Sequence, residues 1–368
     1  MVEEKEATIE TETERNWADL LPELFPLILK NLCDISDFIR YRAVCKTWCL
    51  SSSISDLPPQ FPWIVKVSEG PNLEFYSIAL KKLYTIRSRC SSDKSLLGST
   101  GSYMLTKQYG KPDSYSLLNP VSNSEVPLPV LHVCNLIWFP RMFTWYNPLS
   151  FQRDDYVFNT EMERLDGCKL DDDRWNIIRA GGRGSQYRCY YFKDLFFRVD
   201  SYNEFTKVMD SSSHKELYDI PPPKYKKTYE KSLRGPYLVE SCGEILSVSH
   251  NHSYEWTNFK FSIHRLEFGN GKRNPCWVEL SSIGDRILFF EITETFGRGF
   301  SLRVSDFTEF KGNCIYFINR LQALQSGYLH MYDIENSKTI LIDTPFAPFD
   351  LKNHINHITW FMPTLKLI

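Results

Sequence analysis

Hydrophobic and polar residues alternate in two different rhythms along the chain. Between Trp17 and Asp56, Leu24, Ile28 and Leu32 recur every four residues with Leu21 and Phe25 beside them, and a second set follows at Ile39, Ala43, Val44 and Trp48. That spacing places side chains on one face of a helix, so the stretch predicts short amphipathic helices. Asp19 is placed to cap the first, and Ser36 or Asp37 the next, by accepting the free N–H groups of an opening turn. Pro26 falls inside the first helix, where it removes a backbone donor and crowds the preceding turn; that helix is expected to start late or to bend. Helices this short bury little surface by themselves, and their apolar faces call for a partner.

After Leu57-Pro58-Pro59 the rhythm becomes that of strands. Short apolar runs lie between Gly, Asn, Asp, Ser and Pro: Phe61 to Val67, Tyr115 to Leu118, Cys189 to Val199, Ile245 to Val248, Phe259 to Leu266, Ile287 to Ile292, Cys314 to Ile318 and Thr339 to Ile342. No long helical period competes, which is the pattern of an all-β sandwich, barrel or propeller. One local unit recurs, an apolar strand end followed by a polar turn. It appears at Ile78-Ala79-Leu80, Leu117-Leu118-Asn119, Val157-Phe158-Asn159, Arg198-Val199-Asp200, Ile263-His264-Arg265 and Met331-Tyr332-Asp333, at intervals of 39, 40, 41, 65 and 68 residues. Asn and Asp suit such turns because their side chains bond the backbone two residues on. A period near 40 residues is that of a four-stranded propeller blade, and six units would close a ring without exposed edges. The expectation is therefore a six-bladed, kelch-like β-propeller over residues 57–368, with a basic, proline-led insertion around 211–235. Hairpins of any β protein can be aligned in this way, so a Greek-key sandwich or two smaller β domains stand as alternatives.

Composition sharpens this picture. Aromatic residues make up 15% of the chain, with 25 Phe, 20 Tyr and 9 Trp, and flat, stiff side chains favour half-buried pleated surfaces. Against 43 Lys and Arg stand 45 Asp and Glu, a net charge of −2 that removes global steering toward nucleic acid or anionic membrane. Residues 1–16 are acidic and nearly free of large apolar groups, and are expected to be a disordered tail. No apolar run is long enough to cross a bilayer and the N-terminus lacks the order of a signal peptide, so a nuclear or cytoplasmic location is expected. The ten cysteines fall singly, without a CxxC pair, as buried thiols of a reducing compartment do.

The chain has no GxSxG, GxxxxGK, GxGxxG or HExxH. His250 with His252, and His354 with His357, have no cysteine or carboxylate at ligand spacing, and Asp171-Asp172-Asp173 reads as a solvated loop. No catalytic residue, metal or cofactor is expected. The most suggestive exposed stretch holds Lys224, Tyr225, Lys226, Lys227, Tyr229 and Lys231, where lysines interleave with tyrosines after a proline run. Such a segment can hold an acidic or phosphorylated peptide, or single-stranded nucleic acid, by charge and stacking; the plainer reading is a soluble loop between blades.

Two resemblances add to this reading. Trp17-Ala18-Asp19-Leu20-Leu21-Pro22-Glu23-Leu24, the spaced Ile28 and Leu32, and Arg42-Ala43-Val44-Cys45-Lys46-Thr47-Trp48 resemble the F-box over residues 17–56. The resemblance implies docking onto the adaptor SKP1, and through it a cullin, by Leu20, Leu21, Pro22, Leu24, Ile28, Leu32, Ile39, Val44, Cys45 and Trp48. Cys49 stands where that family usually carries Arg. A self-contained helical cap is the alternative. The C-terminal part is similar to the plant F-box family whose second domain is called the DUF295 or KIB1-like β-propeller. The matching residues are Trp277-Val278-Glu279-Leu280, Ile283-Gly284-Asp285-Arg286, Asn313-Cys314-Ile315-Tyr316-Phe317, Met331-Tyr332-Asp333 and Trp360-Phe361-Met362-Pro363. Together these imply a non-catalytic substrate receptor of an SCF ubiquitin ligase, with an unread target protein and neither membrane nor nucleic acid as partner. The alternative is a protein- or ligand-binding propeller outside any ligase, with a degenerate F-box.

Overall fold

The computed structural model describes residues 17, 20–67, 72–87, 94–108, 110, 114–130, 141–144, 156–161, 164–180, 187–200, 204–225, 233–251, 259–269, 274–292, 297–307, 309–319, 326–346, 349–350 and 357–365. The chain divides into two compact units, residues 1–60 and 61–368. The acidic tail lies outside the described residues.

In the first unit three short helices follow a 3-10 turn at Pro22–Leu24: α1, Phe25–Lys30; α2, Ile35–Ala43; and α3, Lys46–Leu50. Pro26 lies at the second position of α1, where its missing N–H has no intrahelical partner to lose, so the helix starts late and is not broken. Ser36 and Asp37 do not cap α2. Asp34 does, because it lies one residue ahead of the first helical position, and its carboxylate accepts from the Ser36 amide at 3.0 Å. Asp19 lies outside the described residues.

The second unit is an array of sheets, antiparallel except for one pair of strands. The first holds Trp63–Val67, Asn72–Ser77 and Lys82–Arg87, and its fourth member is His357–Phe361, from the far end of the unit. The second contains Lys94–Thr100, Tyr103–Gln108, Ser114–Asn119 and Ser124–Pro127; the third, Arg141–Thr144, Tyr156–Glu161, Arg164–Lys169 and Asn176–Ala180. The fourth is built from Tyr187–Phe192, Leu195–Asp200, Thr206–Asp210 and Glu216–Ile220, and the fifth from Leu233–Ser241, Glu244–Asn251, Phe261–Glu267 and Cys276–Leu280. Cys189 to Val199, which reads as one run, is a hairpin. Lys193 and Asp194 both take positive φ, 45° and 61°, as a two-residue turn that matches strand twist requires.

These five sheets are regular four-stranded blades; the expectation of six like blades is corrected here. The remaining sheet is six-stranded. Gly297–Arg303 folds back antiparallel on Arg286–Ile292, and the chain then crosses over so that Cys314–Asn319 runs parallel to that same strand. Ser326–Asp333 and Lys338–Ile342 continue the path, and Phe349–Asp350 pairs beside them. A simple meander would lay Cys314–Asn319 beside Gly297–Arg303, the strand that precedes it, so this sheet is not an equivalent repeat. The turn motif does not keep register either. Asn119 and Asp333 close strands, whereas Asn159 and Arg265 lie within them, so the spacing near 40 reflects one sheet per interval and not a repeated sequence. Where a turn does follow, the side chain acts as expected: Asn119 Oδ1 accepts from the amides of Val121 and Ser122 at 2.9 and 3.2 Å.

Hydrophobic cores lie between successive sheets. One joins the second and third sheets through Tyr103, Leu117, Cys168 and Leu170. Others join the fourth to the fifth, the fifth to the six-stranded sheet, and the six-stranded sheet to the first. Much of the aromatic content is spent here. Phe289, fully buried, has the rings of Phe61, Phe300, Tyr316 and Trp360 at 5.3, 5.0, 5.6 and 5.1 Å. The last strand of each of several sheets is its most exposed, as in Lys82–Arg87 and Glu216–Ile220.

One buried group makes this core sensitive to acid. His330 stacks on Phe317 at 5.0 Å, and burial pushes its imidazole down to about 4. Below an ordinary histidine pKa near 6.5 the unfolded chain takes up a proton that the folded chain refuses. Stability is therefore full above pH ~6.5 and falls by about 3 kcal/mol as pH drops to ~4. Urea unfolding across that range should show the fall, and His330→Phe should remove most of it.

Candidate functional site

The helical unit carries two apolar faces. The inner one consists of Phe25 and Leu29 from α1, Ile35, Phe38 and Tyr41 from α2, and Trp48 from α3, all buried. Trp48 is its centre. The rings of Phe25 and Tyr41 lie 5.6 and 4.7 Å away, and the indole N–H donates to the Trp17 carbonyl at 3.0 Å. Ile35 N–H donates to Gln60 Oε1, which ties the start of α2 to the end of the unit.

The other face is open. Leu21 is 65% exposed, Val44 48%, Ile39 40% and Leu24 37%, although the core already closes without them. Pro22 is exposed beside Leu21, while Leu20, Ile28, Leu32 and Cys45 are half-buried. Large apolar side chains on a unit this small cost free energy in water, and an exposed set this dense has the character that contact surfaces share. Trp48 does not belong to that surface. A helical period cannot tell which of two adjacent stripes faces inward: Leu24, Ile28 and Leu32 form the outer stripe, Phe25 and Leu29 the inner. The pattern also missed Leu27, Leu50 and Ile54, all exposed; Leu27 lies three residues beyond Leu24 and extends the outer stripe.

In the second unit the proline-led segment links the last strand of the fourth sheet to the first strand of the fifth. Lys224 is exposed, whereas Tyr225 turns inward. Its hydroxyl lies 3.0 Å from Ser249 Oγ and its ring stands edge-on to His264 at 5.6 Å. Lys226, Lys227, Tyr229 and Lys231 lie outside the described residues. Burial raises the Tyr225 phenol above its ordinary value, with Glu204 adding to it, and burial likewise raises Glu204. Burial lowers His264. Of the residues that carry the propeller resemblance and the aromatic runs, Phe289, Phe317, Tyr316 and Trp360 are buried, Trp277 is half-buried, and Gly284 takes φ +67° in its turn. Among the described residues, no three His, Cys, Asp or Glu side chains converge as a metal site, and no helix is long and apolar enough to cross a membrane. Asp172 Oδ2 accepts from the Lys169 amide, fixing the turn of the aspartate run.

Residues 75–339 match the model of the KIB1-4 beta-propeller family, from the second strand of the first sheet to the last long strand of the six-stranded one. The chain belongs to the KIB1-4 beta-propeller family. This KIB1-4 propeller chain is 21% identical over 95% of its length to "Putative F-box protein At5g66830" of Arabidopsis thaliana, covering 93% of that protein. It is 25% identical to F-box/kelch-repeat protein At1g57790 of the same plant, over 74% of this chain and 76% of that one. F-box protein At2g17036 is 23% identical, with 89% and 91% covered. The likeness to plant F-box proteins with a KIB1-like propeller therefore holds. Among solved structures, dihydro-heme d1 dehydrogenase NirN in complex with DHE aligns at 9% identity and a TM-score of 0.31, over 81% of this chain and 70% of that one, too remote to bear on function.

The two faces of the helical unit should respond differently to truncation. Trp48→Ala should cost about 3–5 kcal/mol, whereas Leu21→Ala should stay within about 0.5 kcal/mol. Hydrogen exchange of residues 25–50 in the full chain measures both; equal protection in the two variants would contradict the division.

Proposed function

We propose that this chain is the substrate-recognition subunit of an SCF ubiquitin ligase, with the helical unit docking an SKP1-type adaptor and the propeller holding the target protein. The observation that carries this is the open apolar face of Leu21, Leu24, Ile39 and Val44 on a unit whose own core is complete. An adaptor covering that face recovers about 25 cal/mol for each Å² of apolar surface removed from water. The F-box names of relatives that align over most of the chain point the same way. Pro26, which could have weakened docking, sits harmlessly at the start of α1, and this favours an F-box that binds over a degenerate one.

The chain's part in catalysis is proximity and orientation: it brings target lysines near a ubiquitin-charged enzyme, and no side chain of its own makes or breaks a bond. Exposed Lys224 and the basic residues that follow it in sequence are the contact offered to an acidic target segment. Such a complex works in the nucleus or cytoplasm, where we place this chain.

Capture of an SKP1 protein by the full chain tests the reading. Wild type should retain the adaptor, and Leu21→Asp with Leu24→Asp should lose it without loss of fold, because both side chains are already in water. A wild-type chain that retains no adaptor sinks the ligase reading.

A further inference from the structure

The seam between the fourth and fifth sheets changes character along its length. Tyr190, Phe197 and Val208, aligned by strand register on the fourth sheet, pack with Leu238, Ile245 and Leu266 of the fifth as an apolar half. The next row on the same face of the fourth sheet, Arg188, Val199 and Thr206, opens the polar half. Here Arg188 is the second residue of Tyr187–Phe192 and Arg234 the second of Leu233–Ser241. The Arg188 guanidinium donates to the Gly235 carbonyl at 3.0 Å and lies over the Tyr237 ring at 5.1 Å, so it stands beside the backbone that carries Arg234. Tyr237 in turn stacks on His250 at 6.0 Å, and His250 is the cross-strand partner of Arg234.

A bulge creates this arrangement. Register slips between Arg234 and Tyr237, where Gly235 takes φ +117°. A Cβ on Gly235 would stand 2.9 Å from the Val248 carbonyl oxygen and 3.0 Å from Ser249 Oγ, so only glycine lets the strand bend here. Across the bulge Arg234 is exposed while Tyr237 is buried. Lys224 belongs to the same patch. It is exposed, and the hydroxyl of its neighbour Tyr225 lies 3.0 Å from Ser249 Oγ, the group that Gly235 abuts. Among the described residues none of these three cations forms an ion pair, and Arg188 Nε is buried without a hydrogen-bond partner. Other arginines of the same two sheets do find carboxylates: Arg198 meets Glu216 at 3.9 Å, and Arg265 meets Glu244 at 3.2 Å.

We propose that Arg188, Arg234 and Lys224 form the seat for a phosphorylated side chain of the target protein. The proposal rests on the substrate-receptor reading and names the class of target that the reading leaves open. A phosphoryl group carries three strong acceptor oxygens and about two negative charges, where a carboxylate carries two oxygens and one charge. Three unpaired cations from three chain segments exceed what one carboxylate neutralises, and guanidinium forks match the spacing of phosphoryl oxygens. Arg188 is held by the Gly235 carbonyl and the Tyr237 ring, so it loses little freedom when a ligand arrives. Exposed Arg234 and Lys224 supply the remaining charge from the solvent side.

Retention of peptides by the immobilised full chain at about 150 mM salt tests the seat. The probes are random-flank peptide pools with phosphoserine, phosphothreonine or phosphotyrosine fixed at the centre, beside pools with the unmodified residue or glutamate there. One phosphorylated pool should be retained about tenfold better than its unmodified counterpart, and better than the glutamate pool. Arg234→Ala and Arg188→Gln should each lower that retention about tenfold, the loss of one charged hydrogen bond. Lys215→Ala, exposed at the opposite end of the fourth sheet, should leave it unchanged. Arg234 lies in solvent, so its variant decides the matter if Arg188→Gln fails to fold. Equal retention of phosphorylated and glutamate pools, or a preference untouched by Arg234→Ala, would overturn the proposal. So would capture of inositol hexakisphosphate with no phosphorylated pool retained, which marks a site for a small polyanion. SKP1 capture by the same samples separates the two readings: adaptor held without phosphopeptide preference refutes the seat alone, and the reverse result refutes the ligase reading alone.

Discussion

The pairing of His357–Phe361 with Trp63–Val67 is the constraint on which the propeller unit depends. A row of sheets stacked face to face has two free ends, each exposing an apolar face and an unpaired edge. Here both ends meet in one sheet, with Trp63 opposite Phe361 and Val67 opposite His357. The closing strand also fastens the seam to the six-stranded sheet. The Trp360 indole donates to the Phe290 carbonyl at 2.8 Å, and the Thr359 hydroxyl donates to Glu291, a carboxylate only 2% exposed. Burying that carboxylate is costly without a partner, so the hydrogen bond favours this closure over looser alternatives.

Around that closure the seams differ in character. The six-stranded sheet meets the first through an aromatic cluster centred on Phe289, and the fifth meets the six-stranded one through Tyr237, Phe259, Phe261 and Phe317 with buried histidines among them. The fourth and fifth meet half through apolar packing and half through polar groups. Rings with few rotatable bonds lose little entropy on burial and fill the space between twisted sheets, which accounts for an aromatic share well above the usual.

Element type was legible in the sequence to a considerable degree, because apolar spacing reports on faces. The observed strands Arg286–Ile292, Cys314–Asn319 and Lys338–Ile342 contain the runs read from the pattern, and the helices fall within the stretch of helical spacing. Topology was less legible. Nothing in the run Ile287 to Ile292 shows that it takes an antiparallel neighbour on one side and a parallel one on the other, since both are chosen by segments further along. The inward or outward sense of the helical stripes was hidden for a similar reason: Phe25 and Leu24 are equally apolar, and only packing around Trp48 separates them. Tyr225 looked like a contact residue because lysines surround it, while the groups that draw it inward, Ser249 and His264, lie 24 and 39 positions away.

The long reach of the closing strand has a consequence for the order in which the protein takes shape. Trp63 and its partner Phe361 are separated by about 300 residues, so during synthesis the first sheet stays one strand short until almost the whole unit has left the ribosome. Throughout that interval Ile64, and the wall that Ile358 and Trp360 will cover, remain in water. The helical unit has no such wait: the contacts of Trp48 with Trp17, Phe25 and Tyr41 span at most 31 residues, so its core can form while the propeller is still an open arc. The short-range unit is thus finished well before the long-range one can close.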